Sequence, residues 1–307
     1  MKRAIITGGT GFVGSAVIQE LLAHQVEVWA VVRPGFHQHM DISRLKDLPV
    51  HYVECNFHEI ATLPDKLSER GFDVWYQFAW DGLQGEALTD YTTQLNNIKW
   101  TLDAVVAAAM IGCKKFVGSG SISQYELQVE HGKNDMHDKH RVYKTAKLAC
   151  QYMGNSVAQA SGIEFIWPII TNIYGVGESS PRLVNSMIRN LRAGKHQSLS
   201  EGEQIYDFIY ITDAAKAFRL IGEKGRPGRI YTIAQGRAQP LKYFLTALRD
   251  IVAPYEELGF GESEFNGIYL PAEAYNIEQL QSDTGFVPDV SFEEGIRRTA
   301  NWIEQTV

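Results

Sequence analysis

Short apolar runs alternate with helical patterns along the first half of the chain. Residues 3–7 are an apolar run that ends in the glycine-rich segment 8–11, after which apolar residues recur at helical spacing until His24. Residues 26–32 are β-branched and nearly all apolar, as in a strand covered on both faces. The pattern predicts a strand, a glycine turn, a helix and a second strand.

Three further apolar runs continue the alternation. Residues 50–53 and 74–79 are each followed by a helical pattern, at 60–69 and 88–111, and residues 115–118 form a fifth strand. Strands that alternate with helices pack as a parallel sheet through right-handed crossovers. We therefore expect the α/β class, with a doubly wound parallel sheet of the Rossmann type.

The alternation becomes irregular in the C-terminal half. Short strand-like runs occur there at 205–211 and 229–233, between many glycines and prolines. We expect residues 1–165 to form the Rossmann domain, with segments near 205–235 returning to it. Residues 166–307 would then form mainly a smaller C-terminal α/β substrate-binding lobe.

The composition excludes several classes of protein. The chain has 307 residues, 45% of them hydrophobic and 21% charged, a mixture too apolar to remain disordered. A net charge of -7 disfavours binding to nucleic acid, which needs a basic face. No segment reaches the roughly 18 apolar residues of a membrane span. We expect a soluble protein without nucleic-acid or membrane partners.

Cysteine and histidine usage gives no sign of a structural metal. The cysteines lie far apart, with no C-x-x-C pair, at Cys55, Cys113 and Cys150. Neither a disulfide framework nor a thiolate zinc site is suggested, and a reducing, cytoplasmic location fits. The spacings of His131, His137 and His140 do not suit a helical metal pair, so we expect no metal.

The glycine turn predicts a dinucleotide cofactor. Gly8, Gly11 and Gly14 allow a tight turn, close approach of the backbone to a pyrophosphate, and close packing of the helix on the sheet. The helix N-terminus would face the negative charge. The residues expected to contact the cofactor here are Gly8, Thr10, Gly11, Phe12, Val13 and Gly14.

The end of the second strand bears on which cofactor is held. An acid that binds the ribose hydroxyls usually stands there, but this chain has Arg33. A carboxylate would repel a 2′-phosphate, whereas a guanidinium can bind one through paired charge-assisted hydrogen bonds. We therefore expect NADP(H) in preference to NAD(H). The alternative is that Arg33 stacks on the adenine or points to solvent.

A tyrosine and a lysine four residues apart are the candidate proton-transfer groups. Tyr143 is the only one of the 14 tyrosines with a lysine four residues on, Lys147, which puts both side chains on one helix face. The hydroxyl-rich segment 118–125 precedes them, directly after the fifth strand. In an open α/β sheet, ligands bind at this carboxyl edge.

The motifs together resemble the extended short-chain dehydrogenases/reductases of the nucleotide-sugar epimerase/dehydratase family, nearly end to end. The matching positions are the glycine motif 7–14, Asn97, Ser121 with Tyr125, the pair Tyr143 and Lys147, Asn172 to Gly175, Asp207 to Asp213, Thr284 to Pro288, and Glu294 with Gly295. The resemblance implies that Tyr143 is the acid/base, that Lys147 lowers its pKa and binds the nicotinamide ribose, and that Ser121 hydrogen-bonds the same oxygen. It also implies cofactor contacts at Ala79 and Asn56.

The resemblance places the substrate contacts on both halves of the chain. They are Trp80, Ser121, Ser123, Asn172, Arg182 and Tyr206. Tyr206 replaces an arginine that contacts the substrate pyrophosphate in the family, which indicates a different phosphate anchor or a substrate without a diphosphate. Residues 179–200 contain Arg182, Arg189, Arg192 and Lys195 and no acid, so this segment is a candidate anchor or a solvated helix face.

One departure narrows the reaction. Family dehydratases have Asp-Glu after the catalytic serine or threonine, and this chain has Ile122-Ser123. We expect a 4-ketosugar reductase of a nucleoside-diphosphate sugar, with a 4-epimerase as the alternative. A reductase of non-sugar carbonyls and a non-catalytic NADP-sensing regulator are further alternatives. The resemblance also suggests a homodimer through helices within 88–111 and 143–160.

Overall fold

The strands of the computed structural model are short and concentrated at the centre of the fold. The model describes residues 1–36, 44–130 and 141–306. Its strands are β1 (Arg3–Thr7), β2 (Glu27–Val32), β3 (His51–Glu54), β4 (Val74–Gln77), β5 (Lys115–Val117), β6 (Gly120–Ser121), β7 (Glu164–Ile166), β8 (Ile169–Ile170), β9 (Asn172–Tyr174), β10 (Gln197–Leu199), β11 (Ile205–Tyr206), β12 (Phe208–Tyr210), β13 (Thr232–Ile233), β14 (Gln239–Pro240) and β15 (Leu258–Phe260).

Six strands form one parallel sheet in the order β3-β2-β1-β4-β5-β7. The buried runs of β1, β2 and β4 leave no polar face, as the apolar pattern predicted. The strand order reverses between β1 and β4, and their carboxyl ends form the crevice in which such sheets bind ligands. The α/β class and the doubly wound sheet are confirmed.

Helices cover both faces of this sheet. The α-helices are α1 (Phe12–Ala23), α2 (Leu63–Lys66), α3 (Tyr91–Met110), α4 (Ser123–Glu130), α5 (Arg141–Ser161), α6 (Leu183–Arg192), α7 (Ile211–Lys224), α8 (Leu241–Val252), α9 (Glu278–Thr284) and α10 (Phe292–Thr306). On one face α3 packs against α5, and on the other α1 packs against α7. The layer beside α1 therefore includes a helix from the C-terminal half.

Smaller sheets carry the C-terminal half and connect it to the central sheet. β13, β8 and β6 form a three-stranded sheet in which Ser121 pairs with Ile170. β9 pairs with β12, β10 with β15 and β11 with β14, while α6, α8 and α10 pack together. The short strand β6 thus fixes the segment after β5 against the C-terminal half.

Several element bounds differ from the predicted ones. The helix predicted over 60–69 is a 3₁₀ helix, Phe57–Thr62, followed by the single turn α2, which has a proline in its first turn. The helix predicted from residue 88 begins at Tyr91, because the Asp90 carboxylate accepts from the amides of Thr92 and Thr93 and caps it.

The run predicted as one strand over 205–211 is divided at Asp207. The carboxylate of Asp207 accepts from the amides of Gln235 and Arg237, at 2.6 and 2.7 Å. Burial raises the pKa of Asp207 to about 6, although these amide hydrogen bonds act in the opposite direction. The chain then forms β12 and enters α7 at Ile211. Of the run predicted over 229–233, β13 alone is a strand within the described residues.

No helix in the described part of the chain is both long and apolar enough to cross a membrane. Cys55, Cys113 and Cys150 are buried free thiols. The described residues contain no group of three or more potential metal-ligating His, Cys, Asp or Glu side chains. The three histidines of the loop before Tyr143, at 131, 137 and 140, lie outside the described residues.

Candidate active site

The glycine turn between β1 and α1 is pressed against the end of β4. Gly8 has a φ of +69°, and a Cβ there would come within 2.6 Å of the Ala79 amide nitrogen. A Cβ on Gly14 would collide with the carbonyl oxygen of Gly8. Both positions therefore require glycine. The turn leaves the backbone and the N-terminus of α1 accessible to a pyrophosphate, so the residues present fit a dinucleotide.

A cavity of about 310 Å³ opens beside this turn. The expected cofactor residues that line it are Gly8, Thr10, Gly11, Arg33 and Ala79. Phe12, Val13 and Gly14 belong to the first turn of α1 and are not among the described lining residues. Asn56 does not line the cavity either, although its neighbours Cys55 and Phe57 do. The side-chain amide of Asn56 donates to a carboxylate oxygen of Glu59 at 3.4 Å.

Trp80, which we expected to contact the substrate, lines the cavity beside the glycine turn. Its indole Nε1 donates to Oε1 of Gln94 at 3.1 Å, and Gln94 is 1% exposed. Asn97 holds the next residue, accepting from the Asp81 amide at 2.9 Å and donating to its carbonyl at 2.8 Å. Two amide side chains at the start of α3 therefore fix the segment after β4.

Arg44 connects the glycine turn to the C-terminal half. Its guanidinium donates to the carbonyl oxygens of Thr10, at 3.1 Å, and Gly177, at 2.8 Å. No sequence motif marks Arg44, because its contact with Gly177 joins segments 133 positions apart. The two sides of the crevice are thus linked through one side chain.

A second and larger cavity, of about 990 Å³, lies on the other side of the crevice. Of the residues expected to contact substrate, those that line it are Ser121, Ser123, Asn172, Arg182 and Tyr206. Tyr143 lines it as well, and Leu83 lines both cavities. The candidate proton donor therefore faces a space that can hold a substrate beside the cofactor.

The environment of Tyr143 keeps its phenol protonated. Burial raises the pKa of Tyr143, while a hydrogen bond with Ser121 and the charge of Arg182 lower it. We expected Lys147 to supply the lowering charge. Its Nζ lies 6.0 Å from the centre of the Tyr143 ring, and the Ser121 hydrogen bond and the Arg182 charge fill that role in this structure.

Lys147 is buried beneath Trp80. Its Nζ donates to the Ser119 carbonyl oxygen at 2.9 Å and lies 3.5 Å from the centre of the Trp80 ring. Burial lowers the pKa of Lys147 to about 7. The face of the indole ring favours the ammonium form and so opposes the effect of burial. The lysine is therefore poised between its two protonation states near neutral pH.

The basic segment 179–200 contributes one side chain to the larger cavity. Arg182 lines the cavity, and its guanidinium lies 3.9 Å from the buried carboxylate of Glu178. The other three basic residues, Arg189, Arg192 and Lys195, are exposed and are not among the residues that line the cavity. Arg192 pairs instead with Glu304 of α10, at 3.3 Å. Of the four basic residues in this candidate segment, Arg182 is the one that lines the larger cavity.

Two polar features, the Gln94 amide and an ion pair at the larger cavity, were not predicted from the sequence. Gln94 could have been suspected from its spacing to Asn97, three residues on. The ion pair between Glu126 of α4 and Lys144 of α5 has no local signal, since it depends on how the two helices pack. Both members of the pair line the larger cavity next to Tyr143.

Comparison with known proteins gives consistent family and fold relations. The chain matches the model of the NAD dependent epimerase/dehydratase family over residues 4–234. It is 23% identical to dTDP-glucose 4,6-dehydratase of Haemophilus influenzae, over 98% of each chain. It is 22% identical to dTDP-D-glucose 4,6-dehydratase of Mus musculus, over 98% of this chain and 88% of that protein.

Solved structures share the fold along almost the whole chain. UDP-glucose 4-epimerase from Thermotoga maritima, crystallised with UDP-glucose, superposes with a TM-score of 0.81 at 19% identity, over 99% of each chain. The Bordetella bronchiseptica enzyme WbmF, in complex with NAD+ and UDP, has a TM-score of 0.79 at 22% identity, over 99% of this chain and 92% of that chain. At such identities, the likeness establishes a common fold.

Proposed function

The chain belongs to the NAD dependent epimerase/dehydratase family, and on that premise we propose that it is an NADP(H)-dependent oxidoreductase of a nucleoside-diphosphate sugar, acting as a 4-ketosugar reductase. One observation carries the proposal. The Ser121 and Tyr143 hydroxyls share the wall of the 990 Å³ cavity, which meets the cavity of the glycine turn at Leu83. The cofactor would be held by residues 1–165 with the returning segments near 205–235, and the sugar nucleotide mainly by residues 166–307.

The state of Tyr143 supports reduction. A bound nicotinamide supplies or accepts the hydride at the sugar carbon. The Tyr143 phenol gives its proton to the carbonyl oxygen, and burial favours the protonated form that can do so. Ser121 and Arg182 then stabilise the phenolate that results. The complete set of Ser121, Tyr143 and Lys147 supports an enzyme over a cofactor-binding regulator, which has no need of a proton donor.

The identity of the cofactor is proposed from Arg33. It lines the 310 Å³ cavity after β2, where a carboxylate would stand in an NAD-binding protein. Structural neighbours bind NAD, as the WbmF complex with NAD+ does. NAD(H) is therefore the alternative. A net reduction is usually driven by NADPH, so the arginine and the proposed direction of reaction agree.

The cavity wall favours reduction or epimerisation over dehydration. Ile122 and Ser123 line the cavity where family dehydratases have two carboxylic acids. Eliminating water needs an acid and a base besides the tyrosine. A 4-epimerase needs no such acids, and the likeness to UDP-glucose 4-epimerase makes it the second candidate.

The assembly and location are also proposals. α3 and α5 expose apolar side chains, including Leu95 and Met110 of α3 and Tyr152 of α5, at 59%, 62% and 62%. We take this face to form a homodimer interface. The three buried free thiols fit a reducing compartment, and we place the protein in the cytoplasm.

The proposal is tested by product analysis with purified protein. With dTDP-4-keto-6-deoxyglucose and NADPH, we expect loss of NADPH absorbance and formation of a reduced 6-deoxysugar in equal amounts. UDP-glucose converted to UDP-galactose without net change in cofactor would favour the epimerase instead. Conversion of dTDP-glucose to the 4-keto-6-deoxy product would contradict both.

A further inference from the structure

Glu126 belongs to the same wall of the large cavity as the candidate proton donor. It lies on α4, three residues after Ser123, so the two side chains share a helix face. Both line the cavity together with Ser121 and Tyr143. Glu126 is therefore within the substrate site, although the sequence motifs include no acid at this position.

Lys144 holds Glu126 in place. Its Nζ lies 2.5 Å from Oε2 of Glu126, and Lys144 is 6% exposed. Lys144 directly follows Tyr143 on α5, and the phenol and both members of the ion pair line the same cavity. Removing a partner from a buried charge is costly, which fixes the carboxylate at the cavity wall.

The second oxygen of the Glu126 carboxylate remains available to a ligand. Among the described residues, no hydrogen bond to Oε1 is formed. A carboxylate can only accept hydrogen bonds. Burial and then the charge of Glu126 raise the pKa of Tyr206, and that charge also raises the pKa of Tyr143, so the carboxylate acts on the interior of the cavity.

We propose that Glu126 recognises the sugar, accepting a hydrogen bond from a hydroxyl or amino group next to the carbon that faces Tyr143, with Lys144 as its positioning residue. This inference rests on the proposed function, and it adds the residue that orients the sugar. A hydrogen-bond donor beside the reacting carbon becomes a requirement for the substrate. A sugar that lacks such a donor is then a poor substrate.

A second ion pair in the same cavity provides a matched control. Glu178 is buried and pairs with Arg182, whose side chain is 58% exposed and whose Nε lies 3.9 Å from the Glu178 carboxylate. Arg182 is the proposed phosphate anchor. Glu178→Gln would release the arginine charge, which acts on the phosphates and tightens binding of UDP and UDP-glucose alike.

The test compares the binding of UDP-glucose with that of UDP by isothermal titration calorimetry, in the presence of NADPH. The ratio of the two affinities measures the contribution of the sugar. For Glu126→Gln we expect this ratio to fall about tenfold, as for a lost hydrogen bond to a charged group, with affinity for UDP and NADPH unchanged. Glu178→Gln should leave the ratio intact while changing both affinities.

The double variant Glu126→Gln/Lys144→Met separates recognition from charge balance. It removes both charges of the ion pair, so it separates the loss of the Glu126 carboxylate from the change in net charge at the cavity wall. We expect the ratio to remain low in this variant. A ratio restored to the wild-type value, or unaffected by Glu126→Gln, would overturn the inference while leaving the proposed function intact. A wild-type protein that binds neither UDP and UDP-glucose nor dTDP and dTDP-glucose would overturn both.

Discussion

Burial lowers the pKa of Lys147, an effect that its spacing from Tyr143 in the sequence does not predict. The sequence placed the two on one helix face, which the structure retains. It could not indicate that the ammonium lies between the Ser119 carbonyl and the Trp80 ring, because these groups come from two other segments. The pair is a local motif, whereas the protonation state of the lysine depends on tertiary packing.

The stability of the protein should therefore depend on pH through Lys147. Its pKa is about 7 in the folded state, against 10.5 for an exposed lysine, so between these values the unfolded chain binds more protons. The free energy of unfolding should then rise with pH, by about 1 kcal/mol per pH unit from this group. Urea unfolding of wild type and Lys147→Met at pH 6.5 to 9 measures it. A constant difference between the two proteins would contradict the assignment.

Arg33 is the residue whose substitution should change cofactor preference. In Arg33→Asp, a carboxylate replaces the guanidinium and repels a 2′-phosphate. We expect affinity for NADPH to fall about a hundredfold while affinity for NADH is retained or improves. Fluorescence titration with both cofactors measures this. Wild-type preference for NADH, unaltered by the substitution, would reverse the cofactor proposal.

At the scale of elements, the segment after β4 depends on the start of α3. Gln94 accepts from the Trp80 indole and donates to the Ala87 carbonyl at 2.9 Å. Leucine at this position would remove the hydrogen-bond partner of both of those half-buried groups. The segment between β4 and α3 is therefore held partly by one amide side chain of α3.

Gln94→Leu should lower the free energy of unfolding by about 2 kcal/mol. The same substitution at Gln84, an exposed residue of the same segment, should change it by less than about 0.5 kcal/mol. Chemical denaturation of both variants measures the difference. Equal effects would show that the hydrogen bonds of Gln94 contribute nothing specific to the segment.

Element types were predictable where apolar periodicity was long. Five strands of the central sheet, α3 and α5 were predicted from it, but the sixth strand, β7, and the bounds near residues 60–69 and 88 were not. There a proline and the Asp90 cap decided where helices begin.

In the candidate site, the residues that could be predicted were those that belong to short motifs of neighbouring positions in the sequence. The spacing of residues along the chain could not predict the Glu126–Lys144 ion pair or the two hydrogen bonds of Arg44. Each of these contacts joins different elements of the fold.

At the scale of the whole molecule, an exposed apolar face remains on α3 and α5. Tyr91, Leu95, Val106 and Met110 recur on one side of α3 and are all more than 40% exposed. Exposed apolar residues that cluster in this way are typical of interaction surfaces. A dimer formed through this face would place the α3 and α5 helices of the two copies between their central six-stranded sheets.

Light scattering with size-exclusion chromatography should give twice the mass of the chain for wild type. Leu95→Glu and Met110→Glu place a charge in the interface and should each shift the protein towards the mass of one chain. Tyr255→Glu is the control, because Tyr255 is 97% exposed away from these helices. A wild-type protein that is monomeric would refute the interface.

The central claim is that the Tyr143 phenol transfers the proton in a hydride reaction of a sugar nucleotide, and the Tyr143→Phe variant tests it most directly. The matched control is Tyr255→Phe, an exposed tyrosine that lines neither cavity. We predict that Tyr143→Phe loses at least about a hundredfold in turnover while its affinity for the cofactor is unchanged, and that Tyr255→Phe behaves as wild type. Turnover of Tyr143→Phe near the wild-type rate would contradict the account.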